Sequence, residues 1–314
     1  MLDGLGRTAE QLDDLGLDLP AKELKPMDIG PGGVVGALKR RDAAAFKRIA
    51  RRLGKDWWCA LDWGEAPLGG WQRVCDEGAR AWPFMQPGRI IRDGQVLDGV
   101  SPSGAPRGDR YVLTSDARLG GTPGDCRDLA AAAAEEETAE YGAVRGIAAR
   151  LSALGDSLSE ALAAEPRLQL TITNNTEALF ACFPGHGSKY NVHYDGGGGD
   201  PRKLTAILYV NEGWRAEDDG RLMMYDSGGF SVHGPGLATE RCWRCVYPRA
   251  GRLVLFRSDL VLHKVNPTHA IRYAVTMFFA AATRKELKAK GNASKERDYG
   301  PKSGAGLDEL HIVS

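Results

Sequence analysis

The sequence predicts a mostly β fold with flanking helices, an α+β chain built around a jelly roll, or double-stranded β-helix. Two observations lead there. From Arg167 to Ala280 short apolar runs recur at close intervals, separated by Gly-, Pro- and Asn-containing turns, the signature of about eight strands in a sandwich or rolled sheet. Ahead of them the chain is helical in character, with Ala- and Glu-rich sequence from Cys126 to Leu162.

Residues 1–33 are rich in Leu, Asp, Gly and Pro and read as a loosely structured lead. Val35, Leu38, Phe46, Ile49 and Leu53 then recur at helical spacing on a basic segment, whose Lys and Arg side chains read as a solvated face. Trp57–Leu61 reads as a short buried strand, Leu68–Trp82 as a second helix and Gly88–Arg92 as another strand. In the Ala-rich region Leu151, Leu154, Leu158 and Leu162 form an apolar stripe for core packing, with a helix break expected near Gly142 or Gly146. The strand candidates that follow are Leu168–Thr173, Ala178–Pro184, Lys189–Asp195, Leu204–Val210, Arg221–Tyr225, Cys242–Tyr247, Arg252–Phe256, Leu262–Val265 and Ile271–Ala280. These boundaries give a single domain over residues 34–283, with its β core at about 168–281, and a charged helix and tail over 284–314.

Composition narrows the function. The 41 basic and 41 acidic residues cancel, so no global field favours nucleic acid or membrane. The six cysteines form no framework, which suits a reducing compartment, and Cys242–Cys245 lacks the second pair of a zinc site. No targeting segment or membrane span is visible, so a cytoplasmic or nuclear protein is expected. The glycine run 196–199 has no Lys-Ser or Lys-Thr after it and is not a phosphate loop.

The chemistry concentrates in His193, Asp195, His263 and Arg272. His193 and Asp195 stand two apart in a strand-like segment, so both side chains are expected on one face. His263 follows the apolar run Leu253–Phe256. Two imidazoles and a carboxylate on one side of a metal leave three positions open, the facial triad of non-haem iron(II) oxygenases. Asn266–His269 reads as the turn of a hairpin that sets His263 opposite Arg272. A guanidinium there suits one carboxylate of 2-oxoglutarate, while the keto acid end chelates iron.

The segments Phe180–Asp195, Leu208–Asn211, Arg252–Asp259, His263–Pro267 and Arg272–Thr276 resemble the hypoxia-inducible-factor prolyl hydroxylases. The likeness runs from about Leu168 to Ala280 and is weaker over Arg107–Thr114. It implies iron on His193, Asp195 and His263, with 2-oxoglutarate held by Arg272. It also implies a hydrogen bond from Tyr209 to the distal carboxylate, Thr276 near the co-substrate, Leu222 lining the pocket and Tyr190 beside the metal strand. By the same likeness Arg107 and Asp109 begin a mobile loop that closes over substrate, Asp109 pairing with Arg202. The chain departs from the family in two places: Phe183 replaces a tyrosine, and Leu113 and Thr114 replace an aromatic of the covering loop.

The resemblance implies a 2-oxoglutarate-dependent dioxygenase using Fe(II) and O2, with ascorbate as an accessory reductant; a monomer is the expected state. It would hydroxylate a prolyl residue in a peptide segment of an intracellular protein, releasing succinate and CO2. Two other readings stay open: the same chemistry on a free amino acid or small metabolite, and a non-catalytic metal-binding scaffold.

Overall fold

The strands from residue 170 onward alternate side chains between two apolar surfaces, and that double burial dictates the layering. The computed structural model describes residues 21–92, 95–98, 108–120, 138–196, 199–225, 243–283 and 286–287. Its helices are α1 (Gly33–Arg40), α2 (Ala43–Asp56), α3 (Gly70–Ala81) and α4 (Gly142–Ala164). The strands of the first half are β1 (Lys22–Glu23), β2 (Trp58–Asp62), β3 (Gln86–Pro87), β4 (Arg89–Arg92), β5 (Gln95–Asp98) and β6 (Arg110–Leu113). Those of the second half are β7 (Leu170–Asn175), β8 (Leu179–Phe183), β9 (Ser188–His193), β10 (Arg202–Tyr209), β11 (Leu222–Tyr225), β12 (Trp243–Val246), β13 (Arg252–Arg257), β14 (Leu262–Thr268) and β15 (Arg272–Thr283).

Two sheets face each other. The larger runs β2-β13-β10-β15-β8-β6-β3, with β7 also paired to β15; the smaller runs β1-β12-β11-β14-β9. In β10, Leu204, Ala206 and Leu208 join the cluster that also holds the buried residues of the helices, whereas Ile207 and Tyr209 belong to the cluster between the sheets. β15 divides the same way, Val275, Met277 and Phe279 to the helices and Ala274 to the inter-sheet core. The expected mostly β, rolled architecture with packed helices is thus the observed one.

The helical layer follows from local sequence. Leu151, Leu154, Leu158 and Leu162 are all buried in α4, as their spacing predicts. Gly155 lets α4 approach the sheet, because a Cβ there would lie 2.3 Å from the Phe279 ring. The helix runs unbroken through Gly146 and begins at Gly142. Its first amides, Ala143 N and Val144 N, donate to the buried Glu77 carboxylate of α3, which Arg73 also contacts.

The structure corrects several expectations. The basic helical segment is two helices, because Arg41 takes a left-handed φ of 51° and Asp42 caps α2 through Ala45 N. Residues 21–33 are docked rather than loose: β1 pairs in parallel with β12, and Leu24 and Ile29 are buried. β14 and β15 are not a hairpin. β14 pairs with β9 and β11, β15 with β8, β10 and β7, and the chain crosses between sheets at residues 269–271. The reason is that β15 is apolar on both faces and fits only in the middle of the larger sheet, under the helices. The segment around Leu113 and Thr114 is sheet, not a covering loop: β6 pairs with β3 and β8, and Thr114 is buried. The tail from 288, Cys126 and Cys242 lie outside the described residues. Among the described residues no helix is long and apolar enough to cross a membrane.

Candidate metal and keto-acid site

His193 ends β9, and His263 is its direct partner across the pair with β14. Cross-strand registry therefore sets the two rings side by side, with centroids 4.2 Å apart. Asp195 lies just past the end of β9, so a bend, and not the strand alternation expected from the sequence, brings it back to the histidines. That bend is pinned by Gly196 N donating to Ser258 O.

Asp195 Oδ1 lies 3.3 Å from His193 Nε2 and 3.6 Å from His263 Nε2. The three candidate ligand atoms fall within 4.8 Å of one another. Cis ligands about 2.1 Å from an ion sit about 3 Å apart, so one ion fits this spacing. The imidazoles are already oriented for it. His193 Nδ1 lies 2.7 Å from Asn191 O, and His263 Nδ1 lies 3.1 Å from Val261 O. A carbonyl can only accept, so each Nδ1 carries the proton and each Nε2 presents a lone pair. On Asp195 the second oxygen, Oδ2, accepts from Thr205 Oγ1 at 2.8 Å, and Thr205 in turn meets Ser258 Oγ at 2.8 Å. Neutral imidazole nitrogens with one carboxylate suit a first-row divalent ion.

Electrostatics favour the ligating forms. Burial raises the Asp195 carboxyl, but once the rings are protonated the charge of His263 and the hydrogen bond and charge of His193 outweigh it and hold the group below the usual carboxylate range. Burial and the neighbouring His193 push His263 down from 6.5 to about 4. Between those two values the unfolded chain binds a proton that the folded chain refuses, so stability falls as the pH falls. The metal-free protein should therefore lose on the order of 3 kcal/mol between pH 6.5 and 4 through this histidine. Urea unfolding at stepped pH checks this, and His263→Leu should flatten the slope.

Arg272 arrives from the opposite sheet. It is 2% exposed. Nε donates to Gly220 O at 3.0 Å and Nη2 to Tyr209 Oη at 3.2 Å, and the Phe183 and Tyr209 rings lie 4.9 and 4.8 Å from Cζ. Among the described residues no ion pair engages it directly, although the charge of the buried Asp109 reaches it. A buried guanidinium held by neutral partners suits an incoming carboxylate. Phe183, standing in the place of the tyrosine that the resemblance implies, covers a face of the guanidinium instead of offering a hydroxyl.

The remaining expected residues divide. Tyr190 stacks on His193, centroids 4.0 Å apart, and Leu222 is buried in the inter-sheet core with Tyr209 and Phe183. Thr276 stands four residues after Arg272 in β15 and so shares its face. Arg202 departs from expectation: its ion pair is with Asp200, at 2.5 Å, and its guanidinium lies over Phe278. Two residues of separation make that local pair easier to form than one with Asp109. Asp109 is buried, its carbonyl accepting from Gly88 N. Arg107 lies outside the described residues. Sequence reasoning missed Thr205, Ser258 and Gly220. Thr205 left one signal, a hydroxyl inside the apolar run Leu204–Leu208 on the face of Tyr209.

Comparison with known proteins agrees with this geometry. Residues 178–280 match the model of the 2OG-Fe(II) oxygenase superfamily. Egl nine homolog 1 of Homo sapiens is 34% identical over 121 residues, covering 38% of this chain and 26% of that protein. The human prolyl hydroxylase EGLN3 is 35% identical over 121 residues, 38% of this chain and 46% of its own length. The chain thus spans less than half of these curated relatives. Among solved structures, a Trichoplax adhaerens prolyl hydroxylase in complex with a hypoxia inducible factor peptide fragment superposes with a TM-score of 0.54 at 22% identity, covering 82% of this chain and 96% of that one. That likeness shows the shared fold.

Proposed function

We propose that the chain, which carries a 2OG-Fe(II) oxygenase domain at residues 178–280, hydroxylates a prolyl residue within a peptide segment of another protein. The observation that carries the reading is the pairing of two features across one core: the tripod of His193, Asp195 and His263, and the buried guanidinium of Arg272. The identity to the prolyl hydroxylase EGLN3 supports prolyl hydroxylation in particular.

Iron(II) on the tripod, with 2-oxoglutarate and O2, supplies an oxidant that converts C–H to C–OH while the keto acid leaves as succinate and CO2. The protein's part is orientation. Asn191 O and Val261 O hold the imidazoles in the Nδ1–H tautomer, and Thr205 keeps Asp195 Oδ2 occupied so that Oδ1 faces the histidines. Arg272 and Tyr209 receive the far carboxylate, and Phe183, Phe256 and Leu222 keep water from the space between. In this reading residues 34–283 act as one oxygenase domain.

The test is mass spectrometry of proline-containing peptides incubated with the Fe(II)-loaded protein and 2-oxoglutarate, with His193→Ala as control. A 16-dalton gain on proline, absent from the control, is expected. Succinate formation stimulated by free proline but by no peptide would overturn the peptide-directed reading.

A further inference from the structure

Asp219 has a backbone that side chains other than glycine rarely adopt, with φ 43° and ψ −123°. Such a residue persists only where its surroundings over-determine it. Here they do. The carboxylate accepts from Arg221 Nε at 2.6 Å and from Arg221 Nη2 and N at 3.2 Å, and from Asn266 Nδ2 at 3.3 Å. The carbonyl accepts from Trp214 Nε1 at 3.0 Å. The next residue, Gly220, has φ +63°, and a Cβ on it would lie 2.9 Å from Thr268 and 3.1 Å from Arg272 Cδ. Its amide donates to Pro267 O, and its carbonyl receives Arg272 Nε.

The turn is therefore strapped to the end of β14, just before the chain crosses to Arg272. A guanidinium has five N–H groups in a rigid plane. With Nε on Gly220 and one Nη2 hydrogen on Tyr209, two hydrogens on Nη1 and one on Nη2 are left over; the Nε-bearing edge, which can also grip a carboxylate bidentately, is engaged, and the Nη1–Nη2 edge is the one turned to an incoming ligand.

We propose that the Asp219–Gly220 turn is a positioning element for Arg272, fixing the rotation of its guanidinium so that the Nη1–Nη2 edge meets the distal carboxylate of 2-oxoglutarate. This rests on the function proposed above. Asp219 touches neither metal nor co-substrate in this arrangement; it acts through Gly220 O.

The experiment is calorimetric titration of the Mn(II)-loaded protein, which does not turn over, with 2-oxoglutarate and separately with oxalate. Oxalate chelates a metal but has no distal carboxylate to reach Arg272. Asp219→Gly tolerates the backbone angle and removes the anchor, so it should fold with an unchanged or higher melting temperature. Its Kd for 2-oxoglutarate should rise roughly tenfold, with oxalate unchanged. Asp219→Asn, which keeps one acceptor oxygen, should fall between the two. Wild-type affinity for 2-oxoglutarate in Asp219→Gly would overturn the proposal, and so would an equal loss of both ligands. If Asp219→Gly does not fold, wild-type affinity in Asp219→Asn would do the same. Arg272→Lys separates the two layers: if it too binds 2-oxoglutarate normally, the proposed function fails, and if it alone loses binding, only the role of the turn fails.

Discussion

Arg272→Ala should weaken 2-oxoglutarate binding by roughly a hundredfold or more while leaving metal uptake intact. The size follows from burial. At 2% exposure the guanidinium cannot be replaced by water, and an incoming carboxylate would face Gly220 O and Tyr209 Oη with no countercharge. Lysine restores the charge but not the fork, so Arg272→Lys should recover only part of the loss. Titration with 2-oxoglutarate against Mn(II) stoichiometry reads both quantities in one preparation. A variant that binds the keto acid as tightly as wild type would remove Arg272 from the site.

The second large effect concerns Asp195. Asp195→Ala should abolish stoichiometric iron(II) uptake, lowering affinity by about two orders of magnitude or more, since the remaining donors are two neutral imidazoles. Elemental analysis after dialysis measures it. Thr205→Val should cost far less, because the carboxylate survives and loses only the hydrogen bond that chooses which oxygen faces the histidines. Full metal occupancy in Asp195→Ala would show that the carboxylate is not a ligand.

The sequence made the donors legible but not the route by which they meet. His193 and His263 stand out because histidines in apolar strand patterns are few, and registry does place them as partners. The alternation rule failed at Asp195, where the strand ends two residues too soon for it to apply. The hairpin rule failed at Asn266–His269, because a turn-forming segment looks the same whether the chain returns to its own sheet or crosses to the facing one. What decided the matter was the two-sided apolarity of β15, a signal available in Arg272–Thr283 and weaker than the turn. Arg202 shows another limit. A distant partner was expected by resemblance, yet Asp200 is closer along the chain and takes it. Ser258 belongs to no spacing pattern, and the hydroxyl of Thr205 in its apolar run does not say what it bonds, since both act at a bend that only the folded chain defines.

The crossing of the chain between β14 and β15 also makes the molecule a calliper. One jaw carries the histidines and the other carries Arg272, and the gap between them is the packing distance of two sheets, about 10 Å. The core between those sheets holds Val265, Leu222, Val254 and Phe256, so the reach demanded of a bound diacid is set by ordinary hydrophobic bulk. Trimming those side chains would reset the measured length, and a longer or shorter keto diacid would become the better fit.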